Sequence, residues 1–287
     1  MPDPLVSVVM SVHNGARTVA TAVRSLLWQT LSDWELILVN DASTDNTEAI
    51  LNGFRDPRIR VIYGRRQEGL SGRLNQSLDY ARGNYVARMD ADDVAYPERF
   101  ERQVRYLESH PEVDLLGHGA ILFKGDGDVI GLYPMAQTHE EICRRPWWGF
   151  PLAHPTWMGK RSWFAQNRYD SRLTKGQDQE LLLRTWRRSR FASLPGCLLG
   201  YRVERISVVK SAKGRLAYCR RLFADVEEIA SFVYALKGVG VHGSALTRDL
   251  MLDVAGIVGQ RARRSYISAD QVAKEQWQSI WARLSSE

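Results

Sequence analysis

At 287 residues the chain has room for one large α/β domain or two small ones, and its 44% hydrophobic and 25% charged content is ordinary for a folded globular protein. A formal charge of +6 and a pI near 9.3 are too small and too dispersed an excess to call for nucleic acid, although they suit a phosphorylated ligand or an anionic membrane surface. Cys143, Cys197 and Cys219 are odd in number and include no CxxC pair, which excludes a disulfide framework and implies a reducing, cytoplasmic setting.

Met1-Pro2-Asp3-Pro4 lacks a basic leader, and Leu5–Met10 is too short for a signal core, so no signal peptide is expected. No run approaches the roughly eighteen apolar residues of a membrane span. Leu5-Val6-Ser7-Val8-Val9-Met10 reads as a buried parallel strand, and Ser11-Val12-His13-Asn14-Gly15 as a turn in which Asn14 and Gly15 supply positive φ. Val19, Val23, Leu26 and Leu27 follow at helical spacing. Trp34–Asn40 is a second buried strand, and Asp41–Thr47 is a polar loop feeding a helix over 48–54. Arg60–Tyr63, a helix over 69–81 and a strand over 85–89 complete four strands separated by helices. This is the pattern of right-handed βαβ units in a mostly parallel sheet. In such sheets ligands bind beyond the carboxyl ends of the strands, where Ser11 and His13, then Asp41, then Asp90 and Asp92 converge.

Arg88-Met89-Asp90-Ala91-Asp92-Asp93 is the most informative stretch. Three carboxylates within four residues repel one another and resist burial, and a hard divalent cation with oxygen ligands is the natural counter-charge. A solvated acidic turn, or an N-cap by Asp92 or Asp93 for the helix that begins near Pro97, is the plain alternative. Beyond that helix, which ends at His110-Pro111, the pattern loosens. Val113–Leu116 and Ala120–Phe123 read as short strands, Gly125-Asp126-Gly127-Asp128 as a turn, and Trp147–Pro151 as an aromatic loop. His154-Pro155-Thr156-Trp157-Met158 opens a further strand, Asp178–Arg188 is a helix, and Leu198–Val203 is a last strand. On spacing alone, Asp178 is a helix N-cap at Gly176-Gln177-Asp178. From Arg215 the chain reads helical, with an apolar stripe through Leu216, Cys219, Phe223, Val226, Ile229 and Val233. Lys210, Lys213, Arg215, Arg220 and Arg221 lie beside the stripe, and Arg261, Arg263 and Arg264 form a second basic knot. This region reads as a basic amphipathic face on an anionic membrane, as a helical cap on the rest of the chain, or as a homodimer contact.

Several motifs occur in order at ordinary separations: VSVVMSVHNG, QTLSDWELILVNDASTDNT, GLSGRLNQSLDYARGNYVARMDADD, PERFERQV, HPTWM, and GQDQELLLR followed by LLGYRV. On these the chain resembles the family 2 glycosyltransferases over roughly residues 5 to 208. The resemblance implies an α/β fold of the GT-A type, a Rossmann-like, mostly parallel sheet flanked by helices. That places a catalytic domain at residues 1–208 and a helical C-terminal extension at 209–287. It implies an inverting transfer of sugar from a nucleoside-diphosphate donor, a UDP- or dTDP-sugar by family habit, to a hydroxyl of a glycan or lipid-linked acceptor. The enzyme would be cytoplasmic or peripheral at the inner membrane face.

Residue by residue, the resemblance makes Asp41 the reader of the base. Ser11, Asn14 and His13 line the same pocket, His13 standing where the family has tyrosine. Arg73 and Arg66 are candidates for the donor phosphate. Asp90-Ala91-Asp92 matches the DxD motif, with Asp92 and Asp93 as ligands of a divalent cation, Mn²⁺ or Mg²⁺. Glu204 stands where many members carry a metal-binding histidine; it either ligates the metal or pairs with Arg202 or Arg205. Asp178 matches the catalytic base, with Gln177 replacing the family's preceding glutamate. His154 and Trp157 are candidate acceptor contacts, against a plain reading as core residues, and Trp147 and Trp148 are open to the same two readings. Asn40, Gln177 and Glu204 depart from the pattern and keep open a non-catalytic nucleotide-sugar binder or scaffold. A sugar nucleotidyltransferase would need a glycine-rich basic loop after the first strand, and SVHNGART is a poor one.

Overall fold

The computed structural model describes residues 3–203, 208–224, 229–254 and 266–286. Aliphatic residues crowd β1 (Val6–Val12), β2 (Trp34–Asn40), β3 (Ile59–Tyr63) and β4 (Tyr85–Arg88), because helices cover both faces of the central strands. Every residue of β2 is buried. Between them run α1 (Val19–Leu27), α2 (Thr47–Leu51) and α3 (Gly69–Tyr80). The four strands are parallel in the order β3-β2-β1-β4, with Val8 opposite both Leu36 and Ala87 and Leu38 opposite Val61. The chain steps outward through β2 and β3, then returns to the other side of β1. The strand order therefore switches between β1 and β4, and a crevice opens there. In the first turn Asn14 takes positive φ (53°) but Gly15 does not; the second left-handed residue is Ala42 (φ 52°), after β2. Gly15 is needed for space, since a Cβ there would lie 2.4 Å from Val12 Cγ2.

The second half adds β5 (Val94–Ala95), α4 (Arg99–Ser109), β6 (Leu115–Lys124), β7 (Asp128–Leu132) and α5 (His139–Ile142). There follow β8 (Met158–Lys160), α6 (Arg161–Gln166), α7 (Gln177–Thr185) and β9 (Phe191–Arg202). The sheet continues β4-β8-β6-β9-β5, with β8 antiparallel to both its neighbours and β7 a hairpin on β6. Three sequence expectations are corrected. The two short strands before and after residue 117 are one, because Gly117 and Gly119 let Leu152 and the Gly196 backbone approach to 2.4 and 2.7 Å of where a Cβ would sit. The last strand starts at Phe191 rather than Leu198, its register against β6 shifting where Pro195-Gly196 (φ 83° at Gly196) intervenes. His154-Pro155-Thr156 is a 3₁₀ turn and the strand begins at Met158, since Pro155 has no N–H to give a ladder.

Helices follow: α8 (Val208–Ala224), α9 (Ile229–Val254) and α10 (Gln271–Ser285). Tyr218 and Leu222 of α8 and Ala235 of α9 enter one core cluster with Leu181, Leu182 and Phe191. Leu216, Phe223, Phe232, Leu236 and Val239 remain exposed. Val226, Arg261, Arg263 and Arg264 lie outside the described residues, and Lys210 and Ile229 are described only as helical backbone. No helix among the described residues is long and apolar enough to cross a membrane.

Helix α10 packs back on the sheet. Its Trp277 is fully buried among Val94, Tyr96, Ile121 and Phe123, and its indole N–H donates to the Gly127 carbonyl at 2.8 Å. Gly200 makes the room, since a Cβ there would lie 2.1 Å from the indole. Replacing Trp277 with alanine should lower the unfolding free energy by about 3–5 kcal/mol, the usual cost of truncating a buried aromatic. Urea denaturation of the full chain followed by circular dichroism checks this.

Candidate active site

The loops that close the crevice are stitched to one another before any ligand is considered. After β1, the Asn14 N–H donates to Ser43 Oγ (2.9 Å), Gly15 N–H to Thr47 Oγ1 (2.9 Å), and Ala16 N–H to Asp45 Oδ2 (3.0 Å). In return the Thr44 N–H donates to Asn14 Oδ1 (2.8 Å). His13 Nδ1 donates to the Asp41 carbonyl (2.8 Å), which leaves Nε2 to accept from Asn14 Nδ2 (3.3 Å). A left-handed alanine costs about 1–3 kcal/mol, and this network holds Ala42 in place. Ser11 is half-buried at the end of β1, while His13 and Asn14 are exposed.

Asp41 lies under these loops, 2% exposed. Its carboxylate accepts from the Glu68 and Gly69 N–H groups (2.8 and 2.9 Å) at the start of α3 and from Arg73 Nε (2.7 Å). Burial pushes this carboxyl up, but the Arg73 hydrogen bond, the two amides and the Arg73 charge together hold it below the ordinary carboxylate value. Arg73 is itself buried. Its remaining donors go to Gln76 Oε1 (2.8 Å) and to the Arg66 carbonyl. Its guanidinium is engaged by protein groups and orients Asp41. Gly64 makes this possible, since a Cβ there would lie 2.2 Å from Arg73 Nη2. Arg66 is exposed and pairs with Glu68.

At the end of β4, one carboxylate oxygen from each of Asp90, Asp92 and Asp93 lies within 4.8 Å of the others. Neither Asp92 nor Asp93 caps the next helix: α4 starts at Arg99 after Glu98, and Asp93 Oδ1 instead accepts from the Arg202 N–H of β9 (2.9 Å). Three guanidiniums enclose the cluster, and sequence reasoning had not joined them to it. Arg88, 1% exposed, grips Asp90, while Arg99 Nη2 donates to the Arg88 carbonyl (2.7 Å). Arg202 Nε donates to the Asp92 carbonyl (3.1 Å), and its plane lies over Phe123 at 4.5 Å. Burial first, then the Asp90 charge, raises the Asp92 carboxyl to about 7. Asp93 is pushed well above the carboxylate range by burial and by the charges of Asp92 and Asp90. Asp93 Oδ2 is buried and has no hydrogen-bond partner among the described residues. An all-oxygen donor set, mutually repelling carboxylates and an orphaned buried oxygen fit a hard divalent cation. Glu204, the other expected ligand, lies outside the described residues.

Asp178 is the second residue of α7. Gly176, left-handed at φ 76°, occupies the cap position, so the N-cap reading of Asp178 does not hold. Burial raises the Asp178 carboxyl above its ordinary value, against the Gln179 N–H and the Arg88 charge. Arg88 thus acts electrostatically on both Asp90 and Asp178. Two tyrosines join the same region. Tyr169 lies within reach of the Asp178 and Asp90 charges, and Tyr201, beside Asp90 and Asp93, packs on Tyr133 at 6.5 Å. No local pattern in the sequence marks Tyr169, and Tyr201 stands in the LLGYRV motif without a role of its own there.

The structure does not bring His154 and Trp157 to an open surface. His154 Nε2 meets the Tyr169 hydroxyl at 2.8 Å, and burial and the Arg88 charge push its pKa well below the usual value, so the ring is neutral. Trp157 is fully buried, with its N–H on the Leu152 carbonyl (3.2 Å). Trp147 stacks on Tyr234 of α9 at 5.1 Å, and Trp148 is 60% exposed. Trp148 borders a cleft of about 800 Å³ between Tyr133, the end of α5 and the 148–151 loop, and a cavity of about 250 Å³ adjoins it across Gly149 and Gln179.

Comparison with known proteins gives the family and the fold. Residues 7–167 match the family model described as "Glycosyl transferase family 2". The putative glycosyltransferase EpsE of Bacillus subtilis (strain 168) is 41% identical over 162 residues, covering 55% of this chain and 57% of the relative. The UDP-Glc:alpha-D-GlcNAc-diphosphoundecaprenol beta-1,3-glucosyltransferase WfgD of Escherichia coli is 36% identical over 146 residues, covering 50% and 57%. The chain thus spans little more than half the length of either relative. Among solved structures, S. aureus TarS 1-349 in complex with UDP-GlcNAc superposes with a TM-score of 0.65 at 16% identity, over 97% of this chain and 80% of that one. The mannosyltransferase PcManGT of Pyrobaculum calidifontis, in complex with GDP-Man and Mn²⁺, does so at 0.59 and 16%, over 100% and 86%. The fold is that of these GT-A transferases, and by its family-model match over more than half its length the chain belongs to glycosyl transferase family 2.

Proposed function

We propose that this chain is a metal-dependent, inverting glycosyltransferase that moves a sugar from a UDP- or dTDP-sugar to a hydroxyl of a glycan or lipid-linked acceptor. Residues 1–208 are its catalytic unit and residues 209–287 a helical extension. The observation that carries this is the gathering of the Asp90, Asp92 and Asp93 oxygens within 4.8 Å at the switch point of the sheet, with Asp178 linked to them through the Arg88 charge. Nucleotide-sugar use by TarS and PcManGT, and the diphosphoundecaprenol-linked acceptor in the name of WfgD, support it.

Asp41, oriented by Arg73 and the α3 amides, and the stitched loop of Ser11, His13 and Asn14 form the floor for the base. Asp92 and Asp93 would hold a divalent cation, Mn²⁺ or Mg²⁺, which supplies charge stabilisation to the departing diphosphate. Asp90, held by Arg88, stays beside them as an oriented acceptor for the donor. Asp178 takes the proton of the acceptor hydroxyl as that oxygen attacks, and its raised pKa makes it the stronger base. One carboxylate base and a leaving group on the opposite face of the sugar give displacement with inversion, and no covalent glycosyl-enzyme is called for. Contact with an anionic inner membrane face belongs to the same proposal: exposed Leu216, Phe223, Phe232 and Leu236 share α8 and α9 with exposed Lys213, Arg220 and Lys237. Arg215 and Arg221 are turned elsewhere, toward His242 and Glu180.

Asp92→Ala should remain folded yet lose Mn²⁺-dependent binding of UDP; calorimetry with UDP, with and without Mn²⁺, tests it, and equal affinity in variant and wild type would refute the metal assignment. Asp178→Asn should keep UDP affinity and lose transfer by about two to four orders of magnitude, the scale of general base catalysis. In the wild type at saturating Mn²⁺ and donor, the rate should fall as pH drops through the raised Asp178 pKa, because protonation removes the base. The acid limb therefore lies above the ordinary carboxylate range. A pH profile of product formation, lacking that limb in Asp178→Asn, is the check. The full chain should float with anionic liposomes at low ionic strength and sediment free of them at high salt. Changing Lys213, Arg220 and Lys237 together to glutamine should abolish flotation, and no flotation by the wild type would favour a packed cap or a dimer.

A further inference from the structure

The donor half of the reaction leaves the large cleft beside Asp178 without a role. At its inner end Gln179, the residue after Asp178, ties down the loop wall: its Oε1 accepts from the Phe150 N–H (2.8 Å) and its Nε2 donates to the Phe150 carbonyl (3.1 Å). The wall is aromatic: the ring of Trp148 is exposed, Tyr133 is half-buried, and Phe150 backs them from the core. Tyr133 also connects the cleft to the chemistry. It packs on Tyr201 beside the acidic cluster, and its hydroxyl lies within range of the Asp178 charge. The rim is cationic. Arg144 and Arg145 are exposed at the end of α5, and neither makes an ion pair with a carboxylate among the described residues. The acid lining the cleft, Glu141, already accepts from the Gln137 and Thr138 N–H groups, so two guanidiniums face one engaged carboxylate. The adjoining cavity, which reaches Tyr218 of α8, extends the cleft toward the helices with the exposed apolar side chains.

We propose that this cleft is the acceptor site and that it takes a sugar carried on a diphosphate joined to an apolar chain. Arg144 and Arg145 each receive one phosphoryl group, and the exposed Trp148 face receives the sugar and the start of the chain. Guanidinium forks match phosphoryl oxygens, aromatic faces cover apolar or sugar surface, and the two kinds of group lie side by side here. A neutral glycan would leave the arginine pair unused, and a free anion would leave the aromatic wall unused. This inference rests on the transferase reading above and locates the acceptor of that same site.

The test is calorimetric titration of the full chain with decyl diphosphate while UDP and Mn²⁺ saturate the donor site. Wild type should bind it, and the double change Arg144→Gln with Arg145→Gln should weaken binding about tenfold or more, the scale of losing a charge-assisted phosphate contact. Arg144→Lys with Arg145→Lys should recover part of that loss, and Trp148→Ala should weaken decyl diphosphate more than inorganic diphosphate. Two results overturn the assignment: equal affinity in wild type and the glutamine variant, or inorganic diphosphate binding as tightly as decyl diphosphate. UDP titration of the same samples separates the two levels. If wild type fails to bind UDP with Mn²⁺, the transferase reading itself fails; if it binds UDP and the arginine changes leave decyl diphosphate untouched, the acceptor assignment alone fails.

Discussion

Negative charge held in a half-dry crevice is the constraint on which the rest of the structure depends. Asp90, Asp92 and Asp93 cannot all be ionised beside one another without compensation, and burial makes the repulsion worse. The fold answers with Arg88 on β4, Arg99 on α4 and Arg202 on β9, so the acidic cluster is clamped by elements far apart in sequence. These arginines are also in tension with one another. Burial and the nearby Arg88 charge bring Arg99 down to about 9, against the pull of Asp93. Among the described residues the clamp leaves Asp93 Oδ2 without a partner, so it positions the carboxylates without saturating them. A cation-binding site needs that condition: oriented oxygen ligands and unsatisfied negative charge.

The same logic repeats in milder form at Asp41. Its carboxylate caps the start of α3 and is held by Arg73, so the group at the end of β2 is fixed by the helix that follows β3. Glycines appear where this demands close approach. Gly64 gives way to the Arg73 guanidinium, and Gly200 to the Trp277 indole that braces the β6–β7 hairpin. Because Arg202 links Asp92 and Asp93 to that hairpin and lies near Trp281 of α10, the terminal helix supports the site although it contributes no ligand to it.

Much of the first half was legible from the sequence. Hydrophobic runs alternating with helical spacing gave four strands in parallel order, and Asp90 and Asp92 gather with Asp93 where β4 ends. The second half was legible only in pieces. Antiparallel β8, the shifted β9 register and the 3₁₀ turn at His154 depend on close backbone approaches at glycine and on a proline without an N–H, and no periodicity reports either. His154 and Trp157 stood in a family motif that sequence alone could not assign to a surface or an interior; the structure buries both.

The sequence by itself therefore determined the chain's class and its acidic motif, because strand periodicity and clustered like charges are local properties. Which arginines neutralise that motif, that Arg73 is buried against Asp41, and that Arg144, Arg145 and Trp148 border one cleft with Gln179 were decided only by the tertiary structure. Those pairings join residues from separate elements, and the strength of a charge contact depends on burial and distance. Neither exists until the chain has folded.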